Sequence, residues 1–306
     1  MKHLLSFTLA IPLAFSATQV AAAEETPKRE KVEFPNSDIF LFDLIGDGGK
    51  LTLKNGKNVT ALPGYENQPS FTKDSDSFLF SQSDDYQTDV FEYFLSSGET
   101  KQITKTPKNE FSPIASPDNM TISFVTETNR SVGHIKRSDP TKTYSTFQAS
   151  GVEEPVGYYG WNHKSGYILF WSRYGFNVTL THASKPVEHF VSGHAVPSTP
   201  GLIPGTGNFS FVHRQANGAV WIKELNPETR AVRPLVAING SNSNYAWTPD
   251  GSILIIQNDM LYKWSPETKE GWVKMVDLSK HGIADASRIA VSPNNRKIAI
   301  VGKPKE

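Results

Sequence analysis

The chain has 306 residues, 31 Lys and Arg against 31 Asp and Glu, and no cysteine. Balanced charge without a basic run excludes the footprint of a dedicated nucleic-acid binder. The missing thiol excludes disulfide scaffolds, thiolate zinc sites, thiol catalysis and a lipoprotein anchor.

Met1, Lys2 and His3 form a short basic segment, Leu4 to Phe15 an apolar stretch, and Ala21, Ala22 and Ala23 a small-residue cleavage pattern before Glu24. Residues 1–23 are therefore expected to be a secretory signal peptide cleaved after Ala23. Pro12 and the polar drift from Ser16 to Gln19 leave too short an apolar run to span ~30 Å of hydrocarbon. The processed chain is expected to be periplasmic or secreted, without membrane insertion. Residues 24–36, charged and carrying Pro27, read as a flexible leader. Two alternating segments follow, Asp38 to Leu44 and Asn58 to Leu62, which together match half of a larger unit. Gly46 to Lys50 between them lacks the spacing and the Ser or Thr of a phosphate loop.

From Pro69 onward one phrase recurs: a few small or aromatic residues, a polar turn often containing Pro and Asp or Asn, then a short apolar strand. Its turn position falls at Lys73, Pro117, His163, Pro204, Pro249 and Pro293, at intervals of 44, 46, 41, 45 and 44 residues. A unit of that length holds four strands of about 5–6 residues with turns, and four antiparallel strands bury both faces only when stacked radially. Gly and Pro spread along the chain, with 18 Phe, 10 Tyr and six Trp, suit such short elements. The pattern predicts an all-β six-bladed β-propeller. Blades are expected at about 67–106, 110–149, 155–191, 196–238 and 243–279, the last formed by 286–301 with 38–62. That 2+2 velcro would tie the termini together and leave 302–306 as a tail.

The turn phrases Ser116 to Asn119, Thr248 to Gly251 and Ser292 to Asn295, with Ser83 to Phe91 and the Gly98 to Thr104 ending, resemble the WD40-like (PD40) repeats of TolB-type propellers. The resemblance covers residues ~37 to 301. It implies a stand-alone exported propeller. TolB carries an additional N-terminal α/β domain that engages its inner-membrane partner, and only the leader precedes the first strand here, so that role is not carried over. Related propellers precede the catalytic domain of prolyl-oligopeptidase-type peptidases; here none follows.

Propeller ligands usually bind where loops surround the channel mouth. Five residues before each turn position stand Gln68, Ser112, Tyr158, Thr199, Asn244 and Arg288, a predicted ring of six hydrogen-bonding side chains. Two positions on are mostly small residues, suited to crowding at the axis, and then Phe71, Trp161 and Trp247 among those assigned to packing between blades. Loops on the same face carry Asp84, Asp85, Glu110, Glu127, Arg130, Arg173, Tyr174 and Arg214, of which Glu110 joins the ring as a candidate ligand contact. His194, His213 and His281 are candidate metal ligands from different blades without a local motif; no metal and no cofactor are expected. No Gly-x-Ser-x-Gly nucleophile elbow occurs. The sequence favours a non-catalytic binding or scaffold propeller for a protein, peptide or envelope component, expected to be monomeric. The competing readings are a metal-assisted hydrolase or lactonase, a carbohydrate lyase, or a sensory module.

Overall fold

The structure is a computed structural model describing residues 34–46, 50–84, 86–126, 131–147, 155–267 and 271–306. The expected signal peptide and most of the leader lie outside the described residues. β1 (Asp38–Ile45) and β2 (Thr52–Asn58) come first. Blade one is β3 (Glu66–Phe71), β4 (Ser77–Ser83), β5 (Thr88–Phe94) and β6 (Thr100–Gln102). Blade two is β7 (Glu110–Ala115), β8 (Thr121–Thr126), β9 (Ser131–Lys136) and β10 (Asp139–Phe147). Blade three is β11 (Val156–Trp161), β12 (Tyr167–Ser172), β13 (Asn177–His182) and β14 (Lys185–Ser192). Blade four is β15 (Gly201–Leu202), β16 (Phe209–Arg214), β17 (Val220–Leu225) and β18 (Val232–Ile238). Blade five is β19 (Tyr245–Trp247), β20 (Ile253–Gln257), β21 (Met260–Trp264) and β22 (Val273–Asp277). Blade six begins with β23 (Ile283–Val291) and β24 (Lys297–Pro304).

Blade six has the order β2-β1-β24-β23, so the first two strands of the chain complete the last sheet. Asp38 pairs with Gly302, Phe40 with Ile300 and Asp43 with Lys297. Six separate four-stranded antiparallel sheets result, which is the expected propeller with 2+2 closure. The closing strand runs past Val301: Lys303 pairs with Ala284 and Pro304 with Ile283, so the predicted tail shrinks to its last two residues. Ile283 is fully buried, and its burial holds the extra turn of ladder in place.

The second strand of each blade explains the apolar runs in the sequence. Phe78, Leu79 and Phe80 are all fully buried, as are Ile253 and Leu254, because a blade on either side covers both faces of the sheet. Each apolar cluster joins two consecutive blades. Phe80 and Tyr93 of blade one meet Ile39 and Val301 of blade six, and Leu79 and Val90 meet Ile122 and Phe124 of blade two. The series continues through Val132 with Phe170, Leu180 with Phe211, Val212 with Ile255 and Leu254 with Phe42 and Ile300. The sixth cluster returns to the blade that began the first, so the core is a closed circle of blade interfaces.

The recurring turn follows β3, β7, β19 and β23. Thr72 and Ser116 donate their hydroxyls to Asp74 and Asp118 at 2.6 Å, Ser292 donates to Asn294 Oδ1 at 2.7 Å, and Thr248 bonds Asp250. Those hydroxyls hold the Asp74 and Asp118 carboxyls below the usual range. The next residue takes the left-handed conformation, with φ of 65° at Ser75, 57° at Asn119, 80° at Gly251 and 57° at Asn295. This geometry turns the chain from the axis into the second strand and selects the Asn and Gly seen there.

Candidate functional site

The opposite end of the inner strands begins with an irregularity. β3 pairs Asn67 with Ser81 and next Ser70 with Leu79, passing over Gln68 and Pro69. β7 repeats this, pairing Phe111 with Val125 and next Ile114 with Ser123. Gln68 and Ser112 have φ of 59° and 52°. A bulge bends the strand and re-aims a side chain, and the following Pro has no N–H to lose from the ladder. Gln68 Oε1 accepts from the Ser112 backbone N–H at 2.7 Å and from Ser81 Oγ at 3.1 Å, tying blade one to blade two. In β11 the skipped residue is Gly157, where a Cβ would lie 2.3 Å from Trp171 Cζ3. Glycine there lets the indole lie against the backbone. At the predicted small positions, a Cβ on Gly160 would meet the Pro200 carbonyl oxygen at 2.5 Å, so blade three can approach blade four only without a side chain.

Gln68, Ser112, Thr199, Asn244 and Arg288 line one axial cavity of about 390 Å³, which Leu202, Trp247 and Pro293 continue inward. Tyr158 lines a second cavity of about 490 Å³ with Tyr65, Phe111, Trp171, Arg173 and Tyr174. Gln68 lines both. Between them Arg288 Nη2 donates to the Tyr158 hydroxyl at 2.5 Å, and the guanidinium carbon lies 4.9 Å from the centre of the tyrosine ring. Blades three and six stand opposite each other in a ring of six, so this bond crosses the axis.

Several polar groups at the mouth lack partners. Ser112 Oγ and Asn244 Oδ1 are buried without a hydrogen bond among the described residues. Asn244 Nδ2 bonds Asn242 Oδ1 at 3.1 Å and the Ser287 carbonyl at 3.3 Å, which fixes the amide so that its oxygen cannot turn to a donor of its own blade. Arg288 is half-buried and has no carboxylate partner among the described residues. Burial pushes the Tyr65 hydroxyl up to about 12; the charge of Arg288 opposes this and Tyr158 adds to it.

Glu110 lies outside both linings. It is buried at the start of β7, with Oε1 accepting from Thr106 Oγ1 at 2.7 Å and Oε2 unpaired among the described residues. Burial, opposed by the Thr104 and Thr106 hydroxyls, pushes its carboxyl up to about 7. Glu66 occupies the same place in blade one and is fully buried. Its oxygens have no donor among the described residues; they face the Asp38 carboxyl, and a hydrogen bond forms there when Glu66 holds a proton. Burial, followed by the charge of Asp38, raises it to about 8. Glu66 and Glu110 are separated by the 44-residue period, a regularity that could have marked both from the sequence.

The structure separates the candidate histidines. His194 and His213 adjoin, since Ala195 bridges His213 and Arg214 N–H donates to the His194 carbonyl at 2.9 Å. His281 instead lies edge-on to Phe42 at 5.6 Å. Among the described residues, no three or more His, Cys, Asp and Glu side chains gather as metal ligands. Asp84 caps its own turn, accepting from the Tyr86 and Gln87 backbones at 2.7 and 2.8 Å. Asp85, Glu127 and Arg130 lie outside the described residues. Trp247 donates from Nε1 to Ser210 Oγ of blade four at 2.8 Å, whereas Trp161 stacks on His163 at 4.1 Å, away from the mouth. Sequence reasoning missed Tyr65, Phe111 and Trp171, the aromatic wall of the second cavity; aromatics where inner strands begin were the available signal for Tyr65 and Phe111, whereas Trp171 enters from the end of the second strand, opposite Tyr158.

No family model and no curated protein sequence matches the chain. Solved structures do match. TolB from Acinetobacter baumannii aligns with a TM-score of 0.57 at 13% identity, covering 88% of this chain and 65% of its own. This chain thus spans about two thirds of the length of that protein. A protein assigned as TolB from Agrobacterium tumefaciens aligns with 0.63 at 11%, covering 87% and 97%. A gluconolactonase from Xanthomonas campestris aligns with 0.62 at 7%, covering 86% and 95%. TolB proteins and a gluconolactonase alike share this shape, which therefore leaves the chemistry to the residues of the site. The likeness is one of fold, and the fold is that of a TolB-like six-bladed β-propeller.

Proposed function

We propose that the protein is an exported binding or scaffold propeller that holds a protein, peptide or envelope component at its channel mouth. One observation supports this above the others: the Arg288–Tyr158 bond across the axis, surrounded by the unpaired Ser112 Oγ and Asn244 Oδ1. Buried polar atoms left unpaired cost about 1–3 kcal/mol each, and a ligand offering the complementary groups recovers that energy. The enzyme reading requires an acid, base or metal set facing the cavities. Glu66 and Glu110 have shifted carboxyls but lie behind the lining, and His281 is turned away from the other two histidines. No helix among the described residues is long and apolar enough to cross a membrane. Export rests on the form of residues 1–23.

Two measurements test the proposal. Sequencing the amino terminus of the protein from an osmotic-shock fraction is expected to begin at Glu24, and intact Met1 in membranes would overturn export. A photoreactive amino acid replacing Tyr174 at the mouth is expected to cross-link a partner, whereas one replacing the exposed Val187 on the outer flank of blade three is not. Cross-links from Val187 alone would move the site to the flank.

A further inference from the structure

We propose that Arg288 is the anchor for a carboxylate on a peptide segment of the partner, and that the Tyr158 hydroxyl occupies the place of one carboxylate oxygen in the unliganded protein. This rests on the reading of the mouth as the binding site and names the chemical group it takes. A guanidinium presents five N–H donors in a planar fork that matches two carboxylate oxygens at once. Among the described residues that fork makes a single hydrogen bond, to a hydroxyl, through Nη2 alone. Arg173, exposed on the lining of the second cavity, likewise has no carboxylate partner among the described residues. Each of the two adjoining cavities therefore carries one arginine, and no acidic side chain of the described residues lines either cavity.

The surroundings select a peptide as the bearer of the acid. Asn244 Oδ1 is a buried acceptor in need of a donor, and a backbone N–H beside a terminal or side-chain carboxylate supplies one. The adjoining cavity is walled by Phe111, Val125, Val156 and Trp171, which suits an apolar or aromatic side chain next to the acid. Tyr158 is the movable part. Its hydroxyl is bonded to Arg288 and its ring already rests on Trp171 at 5.5 Å, so release of that bond frees the hydroxyl end alone and opens the partition between the two cavities beside Gln68, which lines both.

The test uses the purified exported protein and four probes: N-acetylphenylalanine, its neutral amide, phenyl phosphate, and galacturonate as a sugar acid. Binding is read by calorimetry and by ligand-observed NMR. The acid is expected to bind at least about tenfold more tightly than the amide, the discrimination of a charge-assisted fork. Arg288→Gln is expected to abolish that preference. Tyr158→Phe removes the resident hydroxyl and is expected to tighten the acid about threefold or more, an effect that a purely structural tyrosine would not produce. Equal binding of acid and amide, or an unchanged preference in Arg288→Gln, would overturn the assignment. So would tighter binding of phenyl phosphate or of galacturonate. Cross-linking confined to Val187 together with an acid preference that depends on Arg288 would sink the mouth as the partner site while leaving the carboxylate anchor standing.

Discussion

The two ends of the inner strands differ in where their polar groups find partners. At the turn end Thr72, Ser116, Thr248 and Ser292 each bond a side chain two residues away, and that acceptor in turn takes a backbone N–H of the same turn. At the mouth end the partners come from other blades, as with Gln68 to Ser112, Arg288 to Tyr158 and protonated Glu66 to Asp38, or are missing among the described residues, as with Ser112 Oγ and Asn244 Oδ1. A turn whose capping bonds lie within itself can be copied around a ring, even where it also reaches a neighbour, as Asn294 N–H does to Ser75 Oγ of blade one at 3.1 Å. A mouth that leaves donors and acceptors open carries a cost in the free protein and has something to offer a ligand.

The largest effect expected from this contrast lies at a turn. Lys263 is almost fully buried and its ammonium pairs with Asp250 at 3.2 Å. Asp250→Ala strands that charge and should cost about 3 kcal/mol in denaturant unfolding, with acid-probe binding unchanged. Glu66 tests the mouth end through pH. Its carboxyl in the folded chain is raised to about 8, above the ordinary carboxylate value. The native state therefore keeps a proton that the unfolded chain releases, and stability is fully present at low pH and falls as pH rises toward and through 8. Glu66 alone should contribute a loss of roughly 2 kcal/mol between about pH 6 and pH 8, and Glu66→Gln should reduce the slope to the part that Glu110, raised to about 7, still contributes; a slope unchanged by Glu66→Gln would mean that the Asp38–Glu66 pair is not proton-linked. The smallest effect on stability belongs to the bar across the axis. Arg288→Gln and Tyr158→Phe should each change unfolding by less than about 1 kcal/mol. If either costs as much as Asp250→Ala, the bar is a structural brace and the contrast between the two ends fails.

The architecture was legible because the turn chemistry repeats. Pro, Asp and a hydroxyl or amide at fixed offsets give the period, and the unmatched Asp38 to Leu44 segment predicts the strand that β24 pairs with. The ring was legible as a set of positions, yet the sequence carries no sign of which members touch: Arg288 and Tyr158 meet because their blades are opposite, a relation of the closed ring and of no local pattern. The bulges at Gln68 and Ser112 depend on left-handed backbone at residues with no strong preference for it, so propensity could not reveal them. Glu110 was selected as a charged loop residue; its burial behind Thr106 follows from tertiary packing, which outweighs the usual solvation of a carboxylate.

The closure of blade six also sets an order of events in time. β1 is synthesised long before its partner β24; Asp43 and Lys297, whose side chains pair across that seam, are 254 residues apart. Until the final strand exists, Phe40, Phe42 and Leu44 have no neighbouring strand of their own sheet except β2, and the cluster they share with Ile298 and Ile300 cannot form. Bringing such distant segments together is entropically slow. A ring built this way stays open until β24 pairs with β1, and then locks at a single seam.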